Sequence, residues 1–247
     1  MTRDGLLALA GMPPANPNYP HGPYRFVDRE YMNIIYESDP EAIRAMVTEP
    51  LVPDGSNTVV YEWINMPDSS GFGAYQESGI VVPCTLNGEP VNYTTMMFLN
   101  DEPPITAGRE IWGFPKRWGE PEMKVEKDTL TGTLNYAGQR VAMGTMVYKH
   151  DTACDTPQDC AKKLAKTAVN LKIIPCVSGK PRIAELVSFA MTDITVKGFW
   201  RGPARLHLVP HVNAPVADLP VRRVIEGQHI IADLTLPYGR VAHDYLA

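Results

Sequence analysis

The run Arg109-Glu110-Ile111-Trp112-Gly113-Phe114-Pro115-Lys116-Arg117 places one amine directly after a tryptophan, a phenylalanine and a proline, with a guanidinium beside it. A lysine titrates near ~10.4 in water, so at neutral pH it is protonated and offers no lone pair to an electrophile. Apolar surroundings strip away the hydration that favours the ammonium, and a neighbouring cation repels it. Either effect frees the amine for Schiff-base chemistry with a ketone. The same run also suits a solvated loop, since most lysines carry their charge into water. On its own it marks Lys116 as a candidate nucleophile and no more.

Three further charged residues stand in settings that matter. Glu62 lies in Thr58-Val59-Val60-Tyr61-Glu62-Trp63-Ile64, a β-branched and aromatic run that reads as a strand and puts Glu62 on one face with Val60 and Ile64. A carboxylate on an apolar face costs several kcal/mol unless it is paired, so either Glu62 has a buried polar partner or that face is exposed. Glu77 follows the glycine-containing turn Ser70-Gly71-Phe72-Gly73, where carboxylates are commonly solvated. Arg29, in Asp28-Arg29-Glu30, reads as a surface ion pair or as a bidentate clamp for a carboxylate.

Other chemistries find little support. Gly71-Phe72-Gly73 lacks the lysine and third glycine of a phosphate-binding loop, so no nucleotide cofactor is implied. His207 and His211 have a helical interval, but Pro210 lies between them and the acid of an HExxH site is missing, so no metal is expected. Cys84, Cys154, Cys160 and Cys176 show no CxxC or metal-ligand spacing and read as mostly buried thiols, with a Cys154–Cys160 link the one pairing to consider. With 23 basic against 28 acidic residues, the chain offers no broad basic surface for nucleic acid. No apolar run approaches the ~18 residues of a spanning helix. Gly5-Leu6-Leu7-Ala8-Leu9-Ala10 is too short for a secretory core and reads as a short helix, so a cytoplasmic location without membrane attachment is expected.

The elements that must position these groups are mostly strands. Strand-like runs cover Ile80 to Leu86, Val91 to Leu99, Thr129 to Tyr136, Val141 to Lys149, Glu185 to Phe199, Ala204 to Val209 and Ile230 to Leu236. Leu86-Asn87-Gly88-Glu89 predicts a hairpin, because asparagine and glycine accept positive φ. Helices are expected over Asp39 to Val47, with Pro40 at the first helical position, over Ile105 to Trp112, and from Thr156 through Lys166. No βαβ repeat is visible. The 247 residues, 44% hydrophobic, suit one mainly β domain with a few helices over residues 19–247, preceded by an arm over residues 1–18. If Pro115-Lys116-Arg117 is extended, Arg117 points away from the amine. Desolvation by Trp112, Phe114, Met96 and Met97 is then the main cause of a lowered amine pKa, and Arg117 is secondary.

From Tyr19 onward the chain resembles the acetoacetate decarboxylase family. The resemblance is carried in order by His21-Gly22-Pro23-Tyr24-Arg25-Phe26, Ser69-Ser70-Gly71-Phe72-Gly73-Ala74-Tyr75-Gln76-Glu77-Ser78-Gly79, Met96-Met97-Phe98-Leu99, Gly113-Phe114-Pro115-Lys116, Tyr148-Lys149-His150, Leu171-Lys172-Ile173-Ile174-Pro175 and His229-Ile230-Ile231-Ala232-Asp233. It implies a cofactor-independent enzyme that converts acetoacetate, a 3-keto acid, to acetone and carbon dioxide. The nucleophile falls on Lys116, with Arg29, Glu62 and Glu77 completing the site. That family is itself a standard instance of an amine activated by desolvation or a cationic neighbour. It also implies an antiparallel closed barrel or cone with the lysine inside, and a homo-oligomer. One departure is Arg117, where the best-known members carry a second lysine. Two other readings stay open: a Schiff-base aldolase-dehydratase acting on pyruvate, and a noncatalytic barrel that binds a small ketone or acid with Lys116 as counter-charge.

Overall fold

Asn87 and Gly88 both take positive φ, 53° and 85°, and close the hairpin between β5 (Tyr75–Leu86) and β6 (Glu89–Leu99). A computed structural model describes residues 1–152 and 156–247. Before the hairpin come α1 (Arg3–Leu7), β1 (Tyr24–Glu37), α2 (Pro40–Met46), β2 (Val52–Pro53), β3 (Thr58–Met66) and β4 (Asp68–Ser69). After it, α3 (Glu102–Ala107) runs into a π-helical turn over Gly108–Trp112, followed by β7 (Lys116–Trp118), β8 (Glu120–Glu126), β9 (Thr129–Tyr136), β10 (Gln139–Val147) and β11 (Asp151–Thr152). The chain ends with α4 (Pro157–Leu164), β12 (Ala168–Pro175), β13 (Pro181–Phe189), β14 (Thr192–Gly202), β15 (Ala204–Leu208), a short 3-10 turn, β16 (Arg223–Leu236) and β17 (Arg240–Asp244).

Among the described residues the strands form two sheets. The larger has 13 strands along the path β11-β14-β16-β1-β3-β5-β6-β12-β13-β17, with β2, β4 and β7 at its margins. The smaller orders β15-β10-β9-β8 and covers one face of the larger. Trp63 of β3 joins them: its indole N–H donates to the Thr133 carbonyl at 2.9 Å, and its ring lies where a side chain at Gly132 or Gly144 would sit. Two hydrophobic cores result. One fills the space between the sheets, with Met32, Ile34, Trp63, Met96, Phe98 and Leu134. The second lies on the opposite face and gathers Tyr24, Phe26, Tyr31, Ile64, Met97, Leu99 and Trp112.

Several expectations need correction. The ladder is an open path ending at β11 and β17, so the expected closed barrel is not formed by strand pairing among the described residues. Pairing is not wholly antiparallel either, because β7 and β12 both add to β6 in parallel. The run from Glu185 to Phe199 is two strands, β13 and β14, separated at Ala190 and Met191. The helix expected from Ile105 begins at Glu102 and changes to a π-turn at Gly108. Cys84 and Cys160 are buried, while Cys154 lies outside the described residues and with it the pairing considered for it. Among the described residues no helix is long and apolar enough to cross a membrane.

Candidate active site

Cross-strand register assembles the site. One row runs Asn33–Glu62–Gly79–Met97–Lys116 across β1, β3, β5, β6 and β7. The next row runs Tyr31–Ile64–Glu77–Leu99 across the first four of these strands. Residues two apart on one strand share a face, so Glu62 and Ile64, Glu77 and Gly79, and Tyr31 and Asn33 all present to the same side. Gly79 leaves room where Glu62 and Met97 lean together: a side-chain carbon there would lie 2.9 Å from the Met96 carbonyl and 3.5 Å from both a Glu62 carboxylate oxygen and the Met97 methyl.

Two bulges bring in residues that simple alternation would send to the other face. In β1 the register shifts between Phe26 and Arg29, with Asp28 at φ 54°. Phe26 and Arg29 thereby come to one side, and the Arg29 guanidinium lies 5.0 Å and 4.9 Å from the ring centres of Phe26 and Tyr31. The bulge is held by the Asp28 N–H donating to an Asp233 carboxylate oxygen at 2.8 Å. In β6 the shift falls at Thr95, whose hydroxyl donates to the Ile80 carbonyl at 3.2 Å. Thr94 and Met97 therefore face the same cavity, while Met96 turns into the core between the sheets. Met96 accordingly does not join the groups around the amine, a correction to the sequence expectation.

That cavity has a volume of about 260 Å³, and its wall includes Arg29, Tyr31, Asn33, Glu62, Met97 and Phe114. Lys116 and Glu77 lie just behind this wall rather than in it. They form a buried ion pair, with side chains 7% and 3% exposed. The amine nitrogen is 5.2 Å from the Phe114 ring centre and 5.9 Å from that of Tyr75. Trp112 is buried in the same core but turns its indole N–H to the Pro237 carbonyl, 2.9 Å away. Arg117, on the other face of β7, is exposed and donates to the Asn213 carbonyl at 2.6 Å and to the Tyr136 hydroxyl at 3.0 Å.

The electrostatics follow from this burial. Desolvation pulls the Lys116 amine below the ordinary lysine range, Glu77 opposes it, and the Arg29 charge reinforces it. Burial pushes the Glu62 carboxyl up to about 7, with Arg29 holding it back and Glu77 adding to the rise. Tyr31 is likewise pushed up to about 12 by burial. Arg29 keeps its Nε–H buried without an acceptor among the described residues. A buried donor left unmade is costly, so the guanidinium is poised to meet an anion. Asn33 and Thr94 were not anticipated from sequence. Asn33 stands opposite Glu62, and only the register reveals it.

Known proteins resemble this chain along nearly its whole length. The family model for acetoacetate decarboxylase matches residues 11–246. The chain is 55% identical over 236 residues to the acetoacetate decarboxylase of Acidiphilium cryptum, covering 96% of this chain and 95% of that protein. The crystal structure of acetoacetate decarboxylase from Legionella pneumophila superposes with a TM-score of 0.92 at 44% identity, over 97% of this chain and 94% of that one. A further solved acetoacetate decarboxylase structure gives a TM-score of 0.96 at 42% identity with complete coverage of both chains. The chain therefore belongs to the acetoacetate decarboxylase family.

Proposed function

We propose that the protein decarboxylates acetoacetate to acetone and carbon dioxide through a Schiff base on Lys116, without a cofactor. The observation that carries this reading is Lys116, a residue only 6% exposed, whose amine is deprived of hydration beside the Glu77 carboxylate and within reach of the Arg29 charge. Its lone pair attacks the ketone carbon. Glu77, which touches the nitrogen, takes the proton that the attacking nitrogen releases and delivers it to the alkoxide, and a second proton, drawn from solvent through the carboxyls, lets the carbinolamine hydroxyl depart as water. The resulting iminium accepts the electron pair freed when the C–C bond to the carboxylate breaks. Carbon dioxide leaves and an enamine remains. Protonation on carbon and hydrolysis of the iminium then release acetone and the free amine.

Arg29 orients the substrate carboxylate. A guanidinium that also neutralised it too well would stabilise the ground state, and two nearby carboxyls moderate that attraction. Glu62, with its carboxyl at about 7, exists in both protonation states near neutrality and suits the proton transfer to the enamine carbon. Phe114 and Met97 keep water from the amine, with Trp112 packed behind them. Arg117 plays a minor part. Strands β1, β3, β5 and β6 wall this dry compartment. A cytoplasmic homo-oligomer in which the N-terminal arm packs on a neighbouring subunit completes the proposal.

The test is borohydride reduction in the presence of acetoacetate, followed by peptide mass mapping. An adduct on Lys116, acetone and carbon dioxide as products, and loss of both in Lys116→Ala with the fold retained are expected. A noncatalytic binder forms no adduct, and an aldolase-dehydratase is labelled by pyruvate without producing acetone. Turnover surviving in Lys116→Ala would remove the lysine from the mechanism.

A further inference from the structure

Gly108, the first residue of the π-helical turn, has φ −59° and ψ −45°, ordinary right-handed helical values open to any residue. Glycine at a helical position is less stable than alanine, so backbone conformation gives no reason for it here. The reason lies in what passes over it. A side-chain carbon built on Gly108 would sit 2.6 Å from Cδ, 2.8 Å from Cε and 3.2 Å from Nζ of Lys116. These approaches are closer than van der Waals contact allows, and every one of them is to the nucleophile's own side chain.

We propose that Gly108 is a positioning residue: the side chain it lacks is the groove in which Lys116 lies. The local backbone explains how the lysine arrives there. The Gly108 carbonyl accepts from the Gly113 N–H and from the Phe114 N–H, the latter at 3.0 Å, so the segment after the π-turn folds back over it. Gly113 turns the chain at φ 71°. Arg109 then fixes the far end, its Nη1–H donating to the Lys116 carbonyl at 3.0 Å. The turn itself is fastened from the N-terminal side, where Asn18 donates to the Thr106 hydroxyl at 2.9 Å and the Tyr19 hydroxyl donates to Glu110 at 2.5 Å. With backbone and turn both pinned, the free variable is the path of four methylenes. Gly108 leaves open the path that ends at Glu77.

This inference rests on the Schiff-base reading of Lys116, and the experiment separates the two. The atoms that a methyl at position 108 would strike are the far end of a flexible chain, so Gly108→Ala displaces the amine and leaves the fold in place. Its thermal midpoint is expected at or above that of the unmodified protein. Its kcat is expected to fall about a hundredfold, the usual consequence of misplacing a reacting atom by roughly an ångström. KM stays within about threefold, because the groups proposed to hold the carboxylate are untouched. The rate of borohydride-trapped adduct formation at Lys116 falls in the same ratio as kcat.

A stability comparison free of any activity measurement completes the test. In a Lys116→Ala background the conflicting atoms are gone, so adding Gly108→Ala should raise the thermal midpoint by more than it does in the unmodified protein. An equal change in both backgrounds would place the clash elsewhere and overturn the proposal. So would a Gly108→Ala enzyme with unchanged kcat and trapping rate while Lys116→Ala is inactive. An active Lys116→Ala enzyme would instead defeat the Schiff-base reading itself.

Discussion

Two of the lysines that pair with carboxylates, Lys116 and Lys197, respond in opposite directions. Lys197 reaches Asp28 at 2.6 Å and Asp233 at 2.7 Å with 37% of its side chain in solvent. Its ammonium is held above the ordinary range, through hydrogen bonds to Asp233 and then to Asp28. Lys116 also has a carboxylate against its nitrogen, yet its amine is pulled down, because the loss of hydration outweighs what Glu77 returns. A carboxylate partner therefore does not decide whether a lysine is an ammonium or a nucleophile. Access of water does. The two sites are coupled in structure, since Asp28 and Asp233 brace the bulge that carries Arg29 toward the cavity.

The sharpest way to break this contrast is to remove the carboxylate at the buried site. Glu77→Gln removes the main opposition to desolvation, so the Lys116 amine titrates lower still and the acid limb of the pH–rate profile moves to lower pH. Loss of the proton acceptor lowers kcat by roughly 10²–10⁴-fold. An acid limb that moved upward would mean that Glu77 had not been stabilising the ammonium.

Glu62→Gln probes the same desolvation through a group of opposite charge. Its carboxyl stands at about 7 when folded, against an ordinary value of 4.5. The folded state therefore holds an extra proton between those limits. Stability from this group is present in full below about pH 4.5 and is lost as pH rises through about 7. The variant lacks that decline, so its melting temperature should gain on the unmodified protein steadily from pH 5 to pH 8. Parallel curves would show that Glu62 titrates normally.

The smallest effect is expected at Arg117. Its guanidinium is engaged with Asn213 and Tyr136 on the far face of β7, so Arg117→Gln should retain most of kcat at neutral pH, within about threefold at an effective dielectric near ~20 or more. A near-total loss with the fold intact would reverse the ranking of burial over neighbouring charge.

What was legible beforehand follows from where information is local. The hairpin at Asn87-Gly88 was readable because two residues with positive φ need particular side chains. The face shared by Val60, Glu62 and Ile64 followed from alternation. The bulges were not readable. Val27-Asp28 contains no glycine, and Tyr93-Thr94-Thr95-Met96-Met97-Phe98 is too uniformly buried to show phase, so Met96 and Met97 looked equivalent. Strand β1 escaped notice because both of its faces are covered, leaving no clear polar alternation across Arg29 to Ile35. The parallel attachments of β7 and β12 to β6 depend on chain partners far apart in sequence. No local pattern records them.

The attachment of β7 has a further consequence. Among the described residues three residue pairs, Met97–Lys116, Phe98–Arg117 and Leu99–Trp118, join the nucleophile's strand to the large sheet, at an edge rather than within it. The carboxyls and the guanidinium ride on the long central strands, whereas the amine arrives on a graft spanning Glu102 to Trp118. The placement of the nucleophile thus hangs on one short segment that seats its own Trp112 in the core, apart from the ladder that orients the acids.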